Sequence, residues 1–164
     1  MPIIRASKVV MVAGLALLAF LVTLGNLTDY GTNYAFVQHV LSMDTIFPGS
    51  TLRWRAITDP TLHRAAYALI IAAEAATAAL FAVAAIRMAA RLGAPRAEFR
   101  AAFVWVGAGT LVGVGLWFLG FMAIGGEWFA MWQSASWNGQ EPAFRYAVII
   151  LLIGLWVMLD TDEP

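Results

Sequence analysis

The chain has 164 residues, 62% hydrophobic and 12% charged, with ten basic and ten acidic side chains and no cysteine. A water-facing domain normally has about a quarter of its residues charged, so lipid is the expected solvent. A net charge of zero without a basic stripe argues against a nucleic-acid partner, the lack of cysteine excludes disulfides and thiolate metal sites, and the length leaves room for one transmembrane domain over 1–164.

A spanning helix needs about 20 mostly apolar residues to cross about 30 Å of hydrocarbon. Four segments qualify. The first covers about 9–27 and carries no charge between Lys8 and Asp29. Arg5 and Lys8 resemble the basic start of a signal peptide, but no Ala-x-Ala cleavage site follows, so a retained anchor is expected. The loop of residues 28–63 contains an apolar stretch, 34–43, too short to span and suited to lie in the membrane interface. Asp59 and Pro60 form an N-cap and first-turn pair that opens the second helix, about 60–91. Gly93 and Pro95 separate it from the third, about 95–124, which makes the two an antiparallel hairpin. A second loop, 125–145, carries Trp128, Trp132 and Trp137, and tryptophan favours the membrane–water boundary. Glu141 and Pro142 repeat the cap signal before the fourth helix, about 142–159, and an acidic tail follows from Asp160.

The expected fold is therefore all-α: an integral membrane four-helix bundle with two ordered interfacial outer loops. Arg5, Lys8, Arg87, Arg91, Arg96 and Arg100 fall on the side of the termini, against Arg53, Arg55, Arg64 and Arg145 on the other. That bias favours both termini in the cytoplasm.

Glu74 is the sharpest single feature. Counted from Ala65, it falls about 14 Å along the second span, near the bilayer centre. An intramembrane acid is a functional candidate by default. No basic side chain is expected at its depth, so it is either protonated and hydrogen-bonded, to Thr77, Tyr67 or a hydroxyl of another helix, or paired outside this chain. It would serve as a proton relay or as a contact to a quinone or partner subunit, unless it simply pins helix packing.

The third span carries Gly107, Gly109, Gly113 and Gly115, and the second answers with alanines at helical spacing. The Gly109–Gly113 interval suits close backbone approach, either between these two helices or in a homo-oligomer. His39 and His63 are the only histidines, both toward the outer loops, where a shared metal or haem site is conceivable but unsupported by a further ligand cluster. No metal site or cofactor is predicted. Haem and quinone stay open as weak alternatives. The outer loops offer a surface for a partner or ligand in Asp29, His39, Asp44, Trp54, His63, Glu127, Trp128, Trp132, Trp137 and Asn138. The plainer account is that these groups satisfy one another and cap helices.

Four loop motifs carry a resemblance. Asn26-Leu-Thr-Asp-Tyr-Gly-Thr-Asn33, Phe36-Val-Gln-His-Val-Leu-Ser-Met-Asp-Thr45, Gly126-Glu-Trp-Phe-Ala-Met-Trp-Gln-Ser134 and Trp137-Asn-Gly-Gln140 resemble a bacterial family of predicted small integral membrane proteins. The resemblance spans nearly the whole chain. It implies four helices in the inner membrane and brings no activity, cofactor or catalytic residue. The expected role is an accessory or assembly subunit of a larger respiratory or photosynthetic complex, or a homo-oligomer in the lipid bilayer. The alternatives are a proton-coupled small transporter using Glu74 and a quinone- or haem-linked redox protein. Against a carrier stands the lack of an inverted repeat or broken helix pair.

Overall fold

Lipid offers no hydrogen-bond partners, so a spanning backbone must satisfy itself within a helix. The computed structural model of the chain describes residues 2–159, and every regular element in them is helical. Four helices are long and apolar enough to cross a membrane. The acidic tail from Asp160 lies outside the described residues.

Helix α1 spans Pro2–Thr28 and starts seven residues earlier than expected because its basic residues have work at the helix ends. Arg5 donates to the carbonyl oxygens of Leu92 and Ala94, at 3.2 and 2.6 Å, in the turn joining the second and third spans. Lys8 donates to the carbonyls of Val157 and Leu159 at 3.2 and 3.0 Å. These carbonyls close the last span, where unpaired C=O groups and the helix dipole attract a cation. Lys8 is buried, and the rings of Phe103 and Trp156 lie 5.5 and 5.6 Å from its ammonium.

The expected interfacial stretch is a helix of 13 residues, α2, Tyr30–Ser42, which turns off α1 at Asp29 and packs along the next span. It ends at Met43, whose φ of 51° lies in the left-handed region. Met43 is buried with Ile46, Phe129 and Ala130 in a small core that joins the two outer loops. Glycine at this position would relieve about 1 kcal/mol of backbone strain but forfeit about 2–5 kcal/mol of buried side chain. Met43→Gly should therefore be net destabilising by about 1 kcal/mol or more in detergent melts followed by circular dichroism. The loops are also tied by Thr45 Oγ1 to Ser134 Oγ at 2.8 Å, and by the Arg55 guanidinium donating to the Trp128 carbonyl at 3.2 Å.

Helix α3, Pro60–Ala89, opens as its sequence requires: the Asp59 carboxylate accepts the Thr61 backbone N–H at 2.7 Å, with Pro60 at the first position. That N–H holds the Asp59 carboxyl below its ordinary value. The cap's contribution is thus complete above the ordinary aspartate range and is lost as pH falls through the depressed value. Asp59→Asn keeps a capping side chain without a titrating group. Its melting temperature should lose that part of the acid dependence.

The third span is not one regular helix. It consists of α4, Arg96–Arg100, then α5, Phe103–Val114, then a π-helical segment over Gly115–Trp128. Glycines recur along the π segment at 115, 120 and 125, the same interval of five as its hydrogen bonds. Helix α6, Gln140–Met158, starts before Pro142, which takes a first-turn position where no N–H is needed. The expected cap, Glu141, is instead inside the helix and pairs with Arg145, while Asn138 Oδ1 accepts the Gln140 N–H at 3.1 Å.

Between helices in lipid, close packing replaces the hydrophobic drive. A Cβ on Gly109 would stand 2.9 Å from the Phe81 ring of α3, and one on Gly113 would stand 3.0 Å from Ile150 of α6 and 3.2 Å from Thr77 of α3. Gly107 meets Met158 in the same way at 2.7 Å. Gly115 does not follow: a Cβ there meets nothing within 4 Å, so close helix contact is not what that glycine serves within the chain. Sequence reasoning overlooked Gly154 of α6, which seats directly on the Thr110 side chain of α5.

Candidate functional site

Glu74 lies on α3 and is 1% exposed. A carboxyl so buried costs free energy unless it is hydrogen-bonded. Its partner is an amide rather than the expected hydroxyl: Asn26 Nδ2 donates to both carboxyl oxygens, at 2.9 and 2.8 Å. The Tyr67 hydroxyl donates in turn to Asn26, 2.9 Å from its backbone oxygen and 3.2 Å from Oδ1. Thr77 turns back onto its own helix, to the Ala73 carbonyl at 2.8 Å. Tyr67 therefore reaches Glu74 only through Asn26.

Glu74 stands midway along α3, and its level against α1 follows from the register of the two helices. α1 ends at Thr28, two residues past Asn26, whereas α3 begins at Pro60, fourteen residues before Glu74. At 1.5 Å per residue α3 runs on past α1 by about 18 Å. Glu74 is thus level with the loop end of α1 while central in α3 itself. Helix α2 covers the part of α3 that α1 does not reach, where Tyr30 packs edge-on against Tyr67 with centroids 4.8 Å apart.

Beside this cluster is an open-sided chamber of about 530 Å³, lined by α1, α2, α3, the π segment and the start of α6. Its polar lining comes from Asn26, Asn33, Tyr67, Glu74 and Tyr146, and its aromatic walls include Phe36, Trp117 and Phe121. Trp117 and Phe121 belong to the π segment, and π-helical turns are found often at functional sites. An apolar groove of about 500 Å³, between α2, α3 and the π segment, shares Phe36, Val37, Ile70 and Phe121 with the chamber as a common wall.

The two histidines take separate partners. His39 Nδ1 is 2.8 Å from Asp44 Oδ2, and its ring stacks on Trp137 with centroids 4.5 Å apart. His63 is buried, with Nε2 2.7 Å from the Ile57 carbonyl and Nδ1 without a partner among the described residues. No group of three or more His, Asp or Glu among the described residues is placed to hold a metal ion. Asp29 marks the turn between α1 and α2, where its carbonyl accepts the Asn33 amide at 3.0 Å. Trp54 and Trp128 flank the Arg55 guanidinium, 5.4 and 4.7 Å from their ring centres, and Trp132 packs edge-on against Phe47. Glu127 and Asn138 are exposed.

Of the residues singled out from sequence, the chamber thus gathers Glu74 and Tyr67, with Asn26, Asn33, Phe36, Val37 and Gly139 from the loop motifs. Asp29, Asp44, Glu127 and the loop tryptophans stay outside it. Trp117, Phe121 and Tyr146 had no sequence signal beyond being aromatic in apolar spans.

No curated protein and no solved structure matches this chain. Residues 4–160 match the model of a family described as predicted small integral membrane protein, DUF2165. With its four apolar spans, the chain belongs to that family of integral membrane proteins.

Proposed function

We propose that this is a small solute-binding membrane protein of the carrier class, which takes an amphipathic organic molecule into the chamber beside Glu74. The observation that carries this reading is the hydrogen-bonded carboxyl set against a cavity of about 530 Å³. Ligand cavities have volumes of about 300–1,000 Å³, with mostly apolar walls and a few convergent polar groups. The lack of an inverted repeat or broken helix pair in the sequence weighs against a carrier. The third span changes from α to π geometry beside the chamber without a break, so the reading rests on the cavity and its acid and not on a discontinuous helix. Orientation with both termini in the cytoplasm of a bacterial inner membrane belongs to the same proposal and would put the chamber toward the outer leaflet.

Native mass spectrometry of the protein in mild detergent tests this directly. Wild type should release a bound small molecule that Glu74→Gln does not retain. The same bound molecules on both proteins would contradict the assignment of the site to Glu74.

A second reading, an accessory subunit of a larger membrane complex, draws support from the loop face. Trp54 is 71% exposed and Phe47, Trp128 and Trp132 about half exposed. Aromatics and arginine enrich interface cores, although such rings also suit the membrane boundary. A gentle-detergent pull-down separates the two. A stoichiometric large complex lost on Trp54→Ala and Trp128→Ala would favour the subunit, and a clean monomer or homo-oligomer would remove it.

A further inference from the structure

Resting on the chamber as a solute site, we infer that its ligand is a lipophilic organic cation: a protonated amine or onium ion with apolar substituents. Three features of the chamber converge on this class.

The first is the sign of its charge. Glu74 is the acid in the lining, and no Lys, Arg or His lines the chamber among the described residues. The nearby cations of the loop end are engaged elsewhere, Arg55 on backbone carbonyls between Trp54 and Trp128, and Arg145 on Glu141.

The second is the direction of the hydrogen bonds. The Asn26 amide is spent on Glu74, and the Tyr67 hydroxyl proton is spent on Asn26. A carboxylate offers about four lone-pair positions, of which Asn26 uses two, and a phenol oxygen also accepts. With Glu74 ionised, the Asn26–Tyr67–Glu74 cluster therefore offers more acceptors than donors to the chamber, whose other polar groups are Asn33 and Tyr146. Acceptors suit an ammonium group or a diffuse positive charge. An anion would meet the Glu74 carboxylate with no Lys, Arg or His in the lining to offset it.

The third is the walls. Phe36, Trp117, Phe121 and Tyr146 face the chamber, with Trp117 and Tyr146 paired at 5.1 Å and Phe36 and Phe121 at 6.2 Å. Aromatic faces attract cations through their quadrupole, most strongly where water is excluded. The apolar body of the same molecule has a place in the adjoining groove, whose lining is entirely apolar and which shares the Phe36 and Phe121 wall.

Tetraphenylphosphonium and tetraphenylborate have the same shape and opposite charge, so equilibrium dialysis of both against the purified full chain in detergent reads charge preference alone. A short-tailed quinone serves as the neutral probe. Saturable phosphonium binding is expected, with none for the borate. Glu74→Gln should weaken phosphonium binding about ten-fold or more, and Phe121→Leu, which leaves the acid in place, several-fold. Each variant is first checked by circular dichroism and gel filtration. Borate binding as tight as phosphonium, or phosphonium binding unchanged in both variants, would overturn the cation assignment. Quinone binding that depends on Glu74 while the phosphonium fails would overturn the ligand class and leave the chamber standing as a site. If no probe saturates, the ligand class and the solute-site reading fall together.

Discussion

Glu74→Leu should destabilise the protein by about 1–3 kcal/mol, and Glu74→Gln by clearly less. Leucine removes the acceptor for both Asn26 contacts and leaves a part-buried amide without that partner, with Tyr67 hanging on the same residue. Part of the loss is the incomplete solvation of Asn26, because removing one partner of a hydrogen-bonded pair away from bulk water costs more than the pair contributes. Glutamine keeps a carbonyl oxygen that can accept from Asn26 in the same shape. A double-mutant cycle with Asn26→Leu should show about 0.5–3 kcal/mol of coupling. Additive single effects in detergent melts would mean that the hydrogen bonds seen between the two side chains do not operate in the folded protein.

The second large effect is expected at Gly154. Its α-hydrogen side faces the Thr110 side chain, leaving no room for a larger residue between α5 and α6. Gly154→Leu must push the two helices apart at the level where Ile150 packs on Gly113. Overpacking of this kind costs about 1–3 kcal/mol. Gly154→Ala should cost less, because the Thr110 hydroxyl has no hydrogen-bond partner among the described residues and can rotate without losing one. Gly115→Ala is the contrast. With nothing within 4 Å of its Cβ direction, it should be neutral or stabilising by up to about 1 kcal/mol through reduced backbone freedom. Equal losses at 154 and 115 would show that helix contact is not what distinguishes them. Melting curves of the three variants in one detergent make the comparison.

The spans were legible because each is a long apolar run bounded by charge or by Asp59–Pro60 and Gly93–Pro95, signals that act locally. Helix α2 was read only as an interfacial stretch. Thirteen residues of mixed character satisfy no span criterion, and what fixes them as a helix is packing of Val37 and the tyrosines on α3. The π segment was not legible at all. Its run of glycine and large apolar residues also fits an α-helix, and only the glycines at intervals of five hint at the wider turn. Glu74 stood out as a buried acid, yet its partner did not. Pairing with Asn26 depends on how far α3 overshoots α1, which is a tertiary quantity. The chamber is further removed still, since five elements contribute to its lining.

The central claim is that a chamber reachable by solute lies beside Glu74, and the absence of cysteine from the chain makes one measurement direct. Val22, on the α1 wall of the chamber, and Val12, fully buried in the helix core, are each replaced by cysteine. A small water-soluble thiol reagent is then applied to the protein in proteoliposomes. Val22→Cys should be labelled rapidly and Val12→Cys hardly at all. Val22→Cys as resistant as Val12→Cys would contradict the account, because the space beside Glu74 would then be closed to any solute arriving from water.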